Sequence, residues 1–284
     1  MRTVARVDLD AMQRLMLLAL LSLLLLPAIA RVRSVRYRQI ESIKRDFVTA
    51  VASATVQRSA EGRHRPKAFV LDVGANVGTF SQRMMQNLKR AAPSADVRLV
   101  MFEPQPQFRA LLGALADLWK GVHMPAAAWI ETTNLTFHIN ANNSERATAQ
   151  ADDVNEARGF LPGSRIVVPA VDLADYLLQT LPSTSADPAE ANASLVFLKI
   201  DVEGSEYDLL PKLLGSNALC RVRFLLVEWH LKLIAPSKRE AGLALKTALA
   251  SILAGSCSLP PRVVHDDIPT NNANLDIPQA VGRG

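Results

Sequence analysis

Cysteine is nearly missing from this chain, with only Cys220 and Cys257 among 284 residues. Two thiols exclude a disulfide-stapled miniature scaffold and any all-cysteine metal cluster. In an oxidising lumen the two can pair; as buried thiols they can equally stay free. Aromatics are sparse too, at 5% of residues, too few to pick out a sugar-stacking platform. What the chain does hold is apolar: 49% of residues are hydrophobic and the mean hydropathy is +0.11, which excludes a disordered tail or a collagen-like repeat.

Net positive charge is absent from the part that would fold. The chain carries 32 Lys and Arg against 27 Asp and Glu, but residues 1–45 hold nine of the basic residues and three of the acids. The remainder is left with 23 basic against 24 acidic residues. A nucleic-acid partner needs positive charge on the folded surface, so none is expected.

Residues 1–30 read as a targeting segment. Between Arg14 and Arg31 lie sixteen uncharged residues, Leu15 to Ala30. At about 1.5 Å per residue such a helix spans roughly 24 Å, short of a ~30 Å hydrocarbon core. It reads either as a cleaved signal peptide, with Ala28-Ile29-Ala30 as the cleavage site, or as a signal anchor that ties the chain to a membrane. Both route the chain into the secretory pathway, on the single-pass or the luminal side. Three N-glycosylation sequons, at Asn134, Asn142 and Asn192, point weakly the same way. Residues 31–66 read as a basic, partly helical stem, 67–268 as the globular domain and 269–284 as a tail.

From residue 67 onward, continuous apolar runs alternate with helical patterns. The runs are Ala68–Leu71, Val97–Phe102, a weaker Val122–Trp129, Leu195–Ile200 and Phe224–Val227. The helices are expected near 79–91, 107–119, 173–181, 205–214 and 237–253. Residues 130–170 are irregular, with edge-strand alternation at 135–139 and 166–168. The alternation predicts a doubly wound, mostly parallel sheet with helices on both faces, a Rossmann-like α/β fold.

The segment Val70-Leu71-Asp72-Val73-Gly74-Ala75-Asn76-Val77-Gly78-Thr79 is strand, glycine turn and helix. Gly74 permits the tight turn and Gly78 a close approach at the helix start. The dinucleotide fingerprint G-x-G-x-x-G is broken by Asn76 and Thr79, which argues against a nicotinamide-dependent oxidoreductase. An acid at the strand end with free amides nearby suits instead the zwitterionic methionine end of S-adenosylmethionine (SAM). Glu103 ends the next apolar run, 25 residues beyond Gly78, where a nucleoside-binding fold receives the ribose hydroxyls. Asp201 and Glu228 end two later runs, so four carboxylates are expected along one rim. His230, beside Glu228, is a candidate base. Asp201 and Glu203 could hold a divalent metal, but carboxylates alone do not argue for one, and no metal ligand is assigned.

The strings LDVGANVGTFS, MFEPQP, VPAVDLADYL, FLKIDVEGSEYDLL and LLVEWH, in that order over residues 67–233, resemble the FkbM-type family of SAM-dependent methyltransferases. The resemblance implies a class I methyltransferase fold and O-methyl transfer, often onto a sugar or natural-product hydroxyl. It implies that Asp72, Gly74, Asn76 and Gly78 hold the methionine moiety of SAM and Glu103 its ribose, with Asp201, Glu203 and His230 facing a small-molecule or glycan acceptor. The third strand departs from the pattern with Pro125 and an alanine run, which leaves the adenine contact unassigned. A non-catalytic luminal binding protein on the same fold is the alternative. The sequence does not specify an oligomeric state.

Overall fold

The computed structural model describes residues 37–64, 66–140, 143–149, 162–183 and 194–267. The chain divides into two units, Ser42–Ile268 and a second formed by residues 1–41 with 269–284. Of the second, only residues 37–41 are described, and they are helical. The leader 1–30 and the tail 269–284 lie outside the described residues, as do the sequons' Asn142 and Asn192. Among the described residues no helix is long and apolar enough to cross a membrane.

Within the larger unit, a six-stranded sheet has the order β10-β9-β8-β1-β2-β3. Its strands are β1 (Lys67–Val73), β2 (Asp96–Phe102), β3 (Val122–Met124), β8 (Ser194–Ile200), β9 (Phe224–Trp229) and β10 (Arg262–Asp267). Every pairing in it is parallel. β1 through β3 run outward to one side and β8 through β10 to the other, so the winding reverses between β1 and β8. Ligands of open α/β sheets bind outside the strand carboxyl ends at such a reversal. The fold is the one the sequence predicts: mostly parallel α/β, Rossmann-like, with helices around the sheet.

Alternation along the strands divides the core. Phe69, Leu71, Val73, Val100, Phe102, Leu198, Ile200, Leu225 and Val227 face one layer with Leu173, Leu177, Leu209, Leu213, Leu249 and Leu253. Those helical residues belong to α4 (Leu173–Thr180), α5 (Glu206–Gly215) and α6 (Arg239–Ser256). On the other face lies α2 (Thr79–Ala91), with Phe80 tilted 5.6 Å from Phe197, while α3 (Arg109–Trp119) connects β2 to β3. Cys220 and Cys257 are joined in a disulfide that ties the approach to β9 to the end of α6.

The expected stem is corrected over residues 42–60. These form a helix, α1, whose Ile43, Phe47 and Val51 are fully buried. Phe47 meets Phe197 and Phe224 edge-on at 5.3 and 5.4 Å. Burying such side chains contributes about 1.5–3 kcal/mol apiece, so α1 is part of the domain rather than a spacer before it.

The expected third strand is also two. Pro125 lacks an amide proton, and the run breaks there into β3 and β4 (Ala127–Trp129). β4 joins a second sheet of order β4-β7-β5-β6, with β5 (Thr133–Asn140), β6 (Asn143–Thr148) and β7 (Pro162–Asp172). In it, β5 pairs antiparallel with β6 and β7, and β4 parallel with β7. The segment read as irregular is thus a small sheet.

Candidate active site

The carboxyl ends of β1, β2 and β8 are stitched together by backbone bonds. The amides of Gly74 and Ala75 both donate to Phe102 O at 3.0 Å, and Asp201 N donates to Val73 O at 3.0 Å. Gly74 is obligatory here: its φ is +80°, and a Cβ would sit 1.7 Å from Asp201 O. Gly78 likewise has φ +76° and begins α2 with no side-chain cap.

Above these ends opens a cleft of about 620 Å³, counted out to its open mouth. Gly74, Asn76, Glu103, Gln105, Asp201 and Glu203 give it a polar wall. Phe102, Ala127, Ala128, Trp129, Leu135 and Phe137 give it an apolar one, largely from β4 and β5. The adenine side that sequence reasoning left unassigned therefore has a candidate surface: the alanine run supplies room and Trp129 a ring.

Glu103 is only 4% exposed. Its Oε2 accepts from Asn76 N at 2.9 Å and its Oε1 from Gln105 N at 3.0 Å. The Gln105 side chain hydrogen-bonds the same carboxylate, so three of its roughly four acceptor sites are engaged within the protein. Burial pushes its pKa up, against those two backbone hydrogen bonds, which pull it down.

Asp72 is placed differently from the expectation. It is fully buried and is not among the residues lining the cleft. Its Oδ2 accepts from Ser81 Oγ at 2.7 Å and its Oδ1 from Lys199 Nζ at 3.3 Å. The even-numbered face of β1 points it under the glycine turn, toward α2. The turn's amides are not free either: those of Gly74, Ala75, Asn76 and Gly78 all donate within the protein. Of the four residues expected at the methionine moiety, Gly74 and Asn76 line the cleft, while Asp72 and Gly78 support the turn.

Lys199 was missed, although a lysine inside the apolar run SLVFLKI was a visible signal. Its Nζ donates to Gly74 O at 3.1 Å and pairs with Asp201 Oδ2 at 2.9 Å, besides Asp72. Burial would lower its pKa, but Asp201 and Asp72 outweigh that and raise it, so it stays charged.

Asp201, Glu203 and His230 do come together. His230 Nε2 stands 3.7 Å from Asp201 Oδ1, 3.5 Å from Glu203 Oε2 and 4.0 Å from Glu228 Oε1. Glu203 reaches this point with φ +48°, an uncommon conformation for a residue with a side chain. The organiser is a second residue that sequence reasoning missed. Glu206, fully buried at the start of α5, accepts from Val202 N at 2.9 Å and Gly204 N at 3.0 Å, so the loop 201–206 wraps round its carboxylate. Glu206 Oε1 lies 2.8 Å from His230 Nδ1, which therefore donates.

These charges decide what His230 can do. Burial alone would lower its pKa; Glu206, then Glu203 and Asp201, push it up to about 10. At neutral pH the ring carries both protons, which corrects its expected role as a free base. Burial, then Asp201 and Asp266, push Glu228 up to about 8. Asp201, though raised by burial, is held low by Lys199 and His230.

A cleft at the reversal of a parallel sheet, a glycine turn after the first strand and an acid at the tip of the second define a nucleoside-binding fold of the class I methyltransferase kind. Residues 72–240, more than half the chain, match the model of the methyltransferase FkbM domain, and the chain belongs to that family. No curated protein and no solved structure matches it.

Proposed function

We propose that this chain transfers a methyl group from SAM to a hydroxyl of a glycan or small-molecule acceptor in the secretory pathway. Family membership supports methyltransferase in general. One observation carries the finer reading: a single cleft holds the Glu103 carboxylate, an apolar wall, and the Asp201–Glu203 carboxylates. These residues fit a nucleoside bearing a methionine side arm. Glu103 receives the ribose hydroxyls, Gly74 and Asn76 flank the methionine arm, and Trp129 with Ala127 and Ala128 covers the base. Bound there, SAM supplies a methyl group already activated as a sulfonium.

The protein's task is then alignment of donor and acceptor and removal of one proton. As the new C–O bond forms and the S–C bond breaks, the hydroxyl proton passes into the Asp201–Glu203 pair. His230 contributes by holding those two acids in place. The compartment is supported by the apolar leader and by the Cys220–Cys257 disulfide, a bond that persists in oxidising surroundings.

The test is transfer of radiolabelled methyl from SAM into separated glycan, lipid and protein pools of the source cell. Label in the glycan or small-molecule pool that survives mild base, as an ether does and an ester does not, supports the reading. Label confined to protein, or none in any pool, overturns it.

A further inference from the structure

We propose that Asp201, Glu203 and His230 form a binding site for a divalent cation, with Glu228 beside it. The inference rests on the functional reading only for the cation's use, not for its binding. Three observations carry it.

The first is the geometry. The ligand atoms of the three residues lie within 4.8 Å of one another. A cation bonded at about 2.1 Å holds neighbouring ligands about 3 Å apart and opposite ones about 4.2 Å apart. The separations of 3.5 and 3.7 Å from His230 Nε2 fall inside that range. Asp201 and Glu203 have side chains 24% and 23% exposed, which leaves room for the small rotations that close the remainder.

The second is His230 itself. It is 4% exposed, and its Nε2 is aimed at the cluster, 3.5 Å from Glu203 Oε2 and 3.7 Å from Asp201 Oδ1. Its Nδ1 is tied to the buried Glu206 carboxylate. Carboxylate, histidine, cation is the order in which proteins orient an imidazole ligand and raise its basicity, and a cation bound here displaces the Nε2 proton to solvent. Lys199 takes Asp201 Oδ2 and leaves Oδ1 toward the cluster.

The third is the chemistry the cleft must do. An acceptor oxygen that loses its proton beside Asp201 and Glu203 becomes an anion among anions. A divalent cation reverses the sign of that interaction and favours ionisation of a hydroxyl coordinated to it, with the proton leaving to water in place of the two acids that then hold the cation. Two carboxylates and one imidazole suit Mn²⁺, with Mg²⁺ as the harder competitor.

The experiment titrates MnCl₂ into the full-length chain and follows free Mn²⁺ by electron paramagnetic resonance, with calorimetry of S-adenosylhomocysteine on the same samples. One Mn²⁺ per chain is expected, with Glu203→Gln and His230→Ala each weakening it roughly tenfold or more. Glu203→Gln, partly exposed, controls for misfolding, and unchanged S-adenosylhomocysteine binding certifies each variant. No Mn²⁺ uptake at millimolar concentration, or uptake equal in wild type and variants, overturns the proposal. Mn²⁺ binding without S-adenosylhomocysteine binding sinks the functional reading and leaves the cation site standing; the reverse result does the opposite.

Discussion

Lys199 Nζ lies 3.3 Å from Asp72 Oδ1 and 2.9 Å from Asp201 Oδ2, so one buried ammonium ties the end of β1 to the end of β8. The pair sits under the glycine turn, where Lys199 also donates to Gly74 O. Removing the cation alone strands a fully buried carboxylate, which costs about 3–5 kcal/mol. Lys199→Met is therefore expected to lower unfolding stability by that amount in urea titration. Adding Asp72→Asn removes the stranded charge and restores part of the loss. If the double variant is no more stable than the single, the bridge is not what holds this end of the sheet.

Glu206 and His230 make a separate test, because Glu206 touches neither the cleft nor a substrate. Glu206→Gln keeps the shape but weakens the acceptor for Val202 N, Gly204 N and His230 Nδ1. Weakened buried hydrogen bonds to a charged group cost about 1–3 kcal/mol. Turnover is expected to fall while S-adenosylhomocysteine affinity stays near wild type. Asp201→Asn and His230→Ala lower turnover further, by roughly 10²–10⁴-fold, again without loss of nucleoside binding. Single-turnover kinetics with calorimetry separate the two effects, and a Glu206→Gln variant that loses nucleoside affinity instead contradicts the positioning role.

Much of this was legible in the sequence. Buried parallel strands read as unbroken apolar runs, and acids at their carboxyl ends are conspicuous after such runs. That is why Glu103, Asp201 and Glu228 were expected on the rim; Glu103 and Asp201 line the cleft, and Glu228 stands 4.0 Å from His230 Nε2 without lining it. Asp72 followed the same rule and broke it, because the side-chain direction at a strand's last residues depends on pleat phase. At Asp72 that phase points to Ser81 rather than to the cleft. Lys199 and Glu206 were passed over because one buried lysine and one helix-start glutamate look ordinary until three-dimensional partners are known. The small second sheet was hidden because β5 and β7 alternate weakly and pair residues far apart in sequence, such as Thr133 with Ala170. α1 was misread because the basic residues on either side of it were taken together as one stem, while Ile43, Phe47 and Val51 recur every four residues on its buried face.

That misreading gives a prediction about boundaries. Truncation that begins at Ser42 keeps the buried Ile43, Phe47 and Val51 of this helix in the larger unit and is expected to leave a cooperatively unfolding domain. Truncation that begins at Lys67 removes Phe47 from Phe197 and Phe224 and is expected to yield insoluble or molten protein. Phe47→Ala in the intact chain lowers stability by about 3–5 kcal/mol. A stable, soluble fragment starting at Lys67 shows α1 to be dispensable.

The Cys220–Cys257 bond closes a loop with a sequence separation of 37, which the chain-entropy relation converts to roughly 4 kcal/mol of denatured-state constraint. Reduction, or the paired Cys220→Ser and Cys257→Ser change, is expected to lower the denaturation midpoint by a corresponding amount without altering nucleoside affinity, since neither residue lines the cleft. Equal stability in oxidised and reduced protein contradicts this.

Glu103 sets the pH response of cofactor binding. Burial raises its pKa above the ordinary 4.5, so its ionised form begins to be lost at a higher pH than for an exposed glutamate. The sign follows from linkage. In the apoprotein the folded state holds this proton more tightly than the unfolded chain, so protonation adds stability as pH falls through the raised value. Binding runs the other way, because ribose hydroxyls donate to the ionised carboxylate, not to the acid. S-adenosylhomocysteine affinity is therefore expected to decline on acidification from a point above 4.5 while the apoprotein's fold is still intact. Glu103→Gln should bind more weakly by about 1.5–3 kcal/mol, roughly ten- to a hundredfold, and lose this pH dependence. Calorimetry of both proteins across the acidic range checks it. A pH profile unchanged in the variant would mean that some other group receives the ribose.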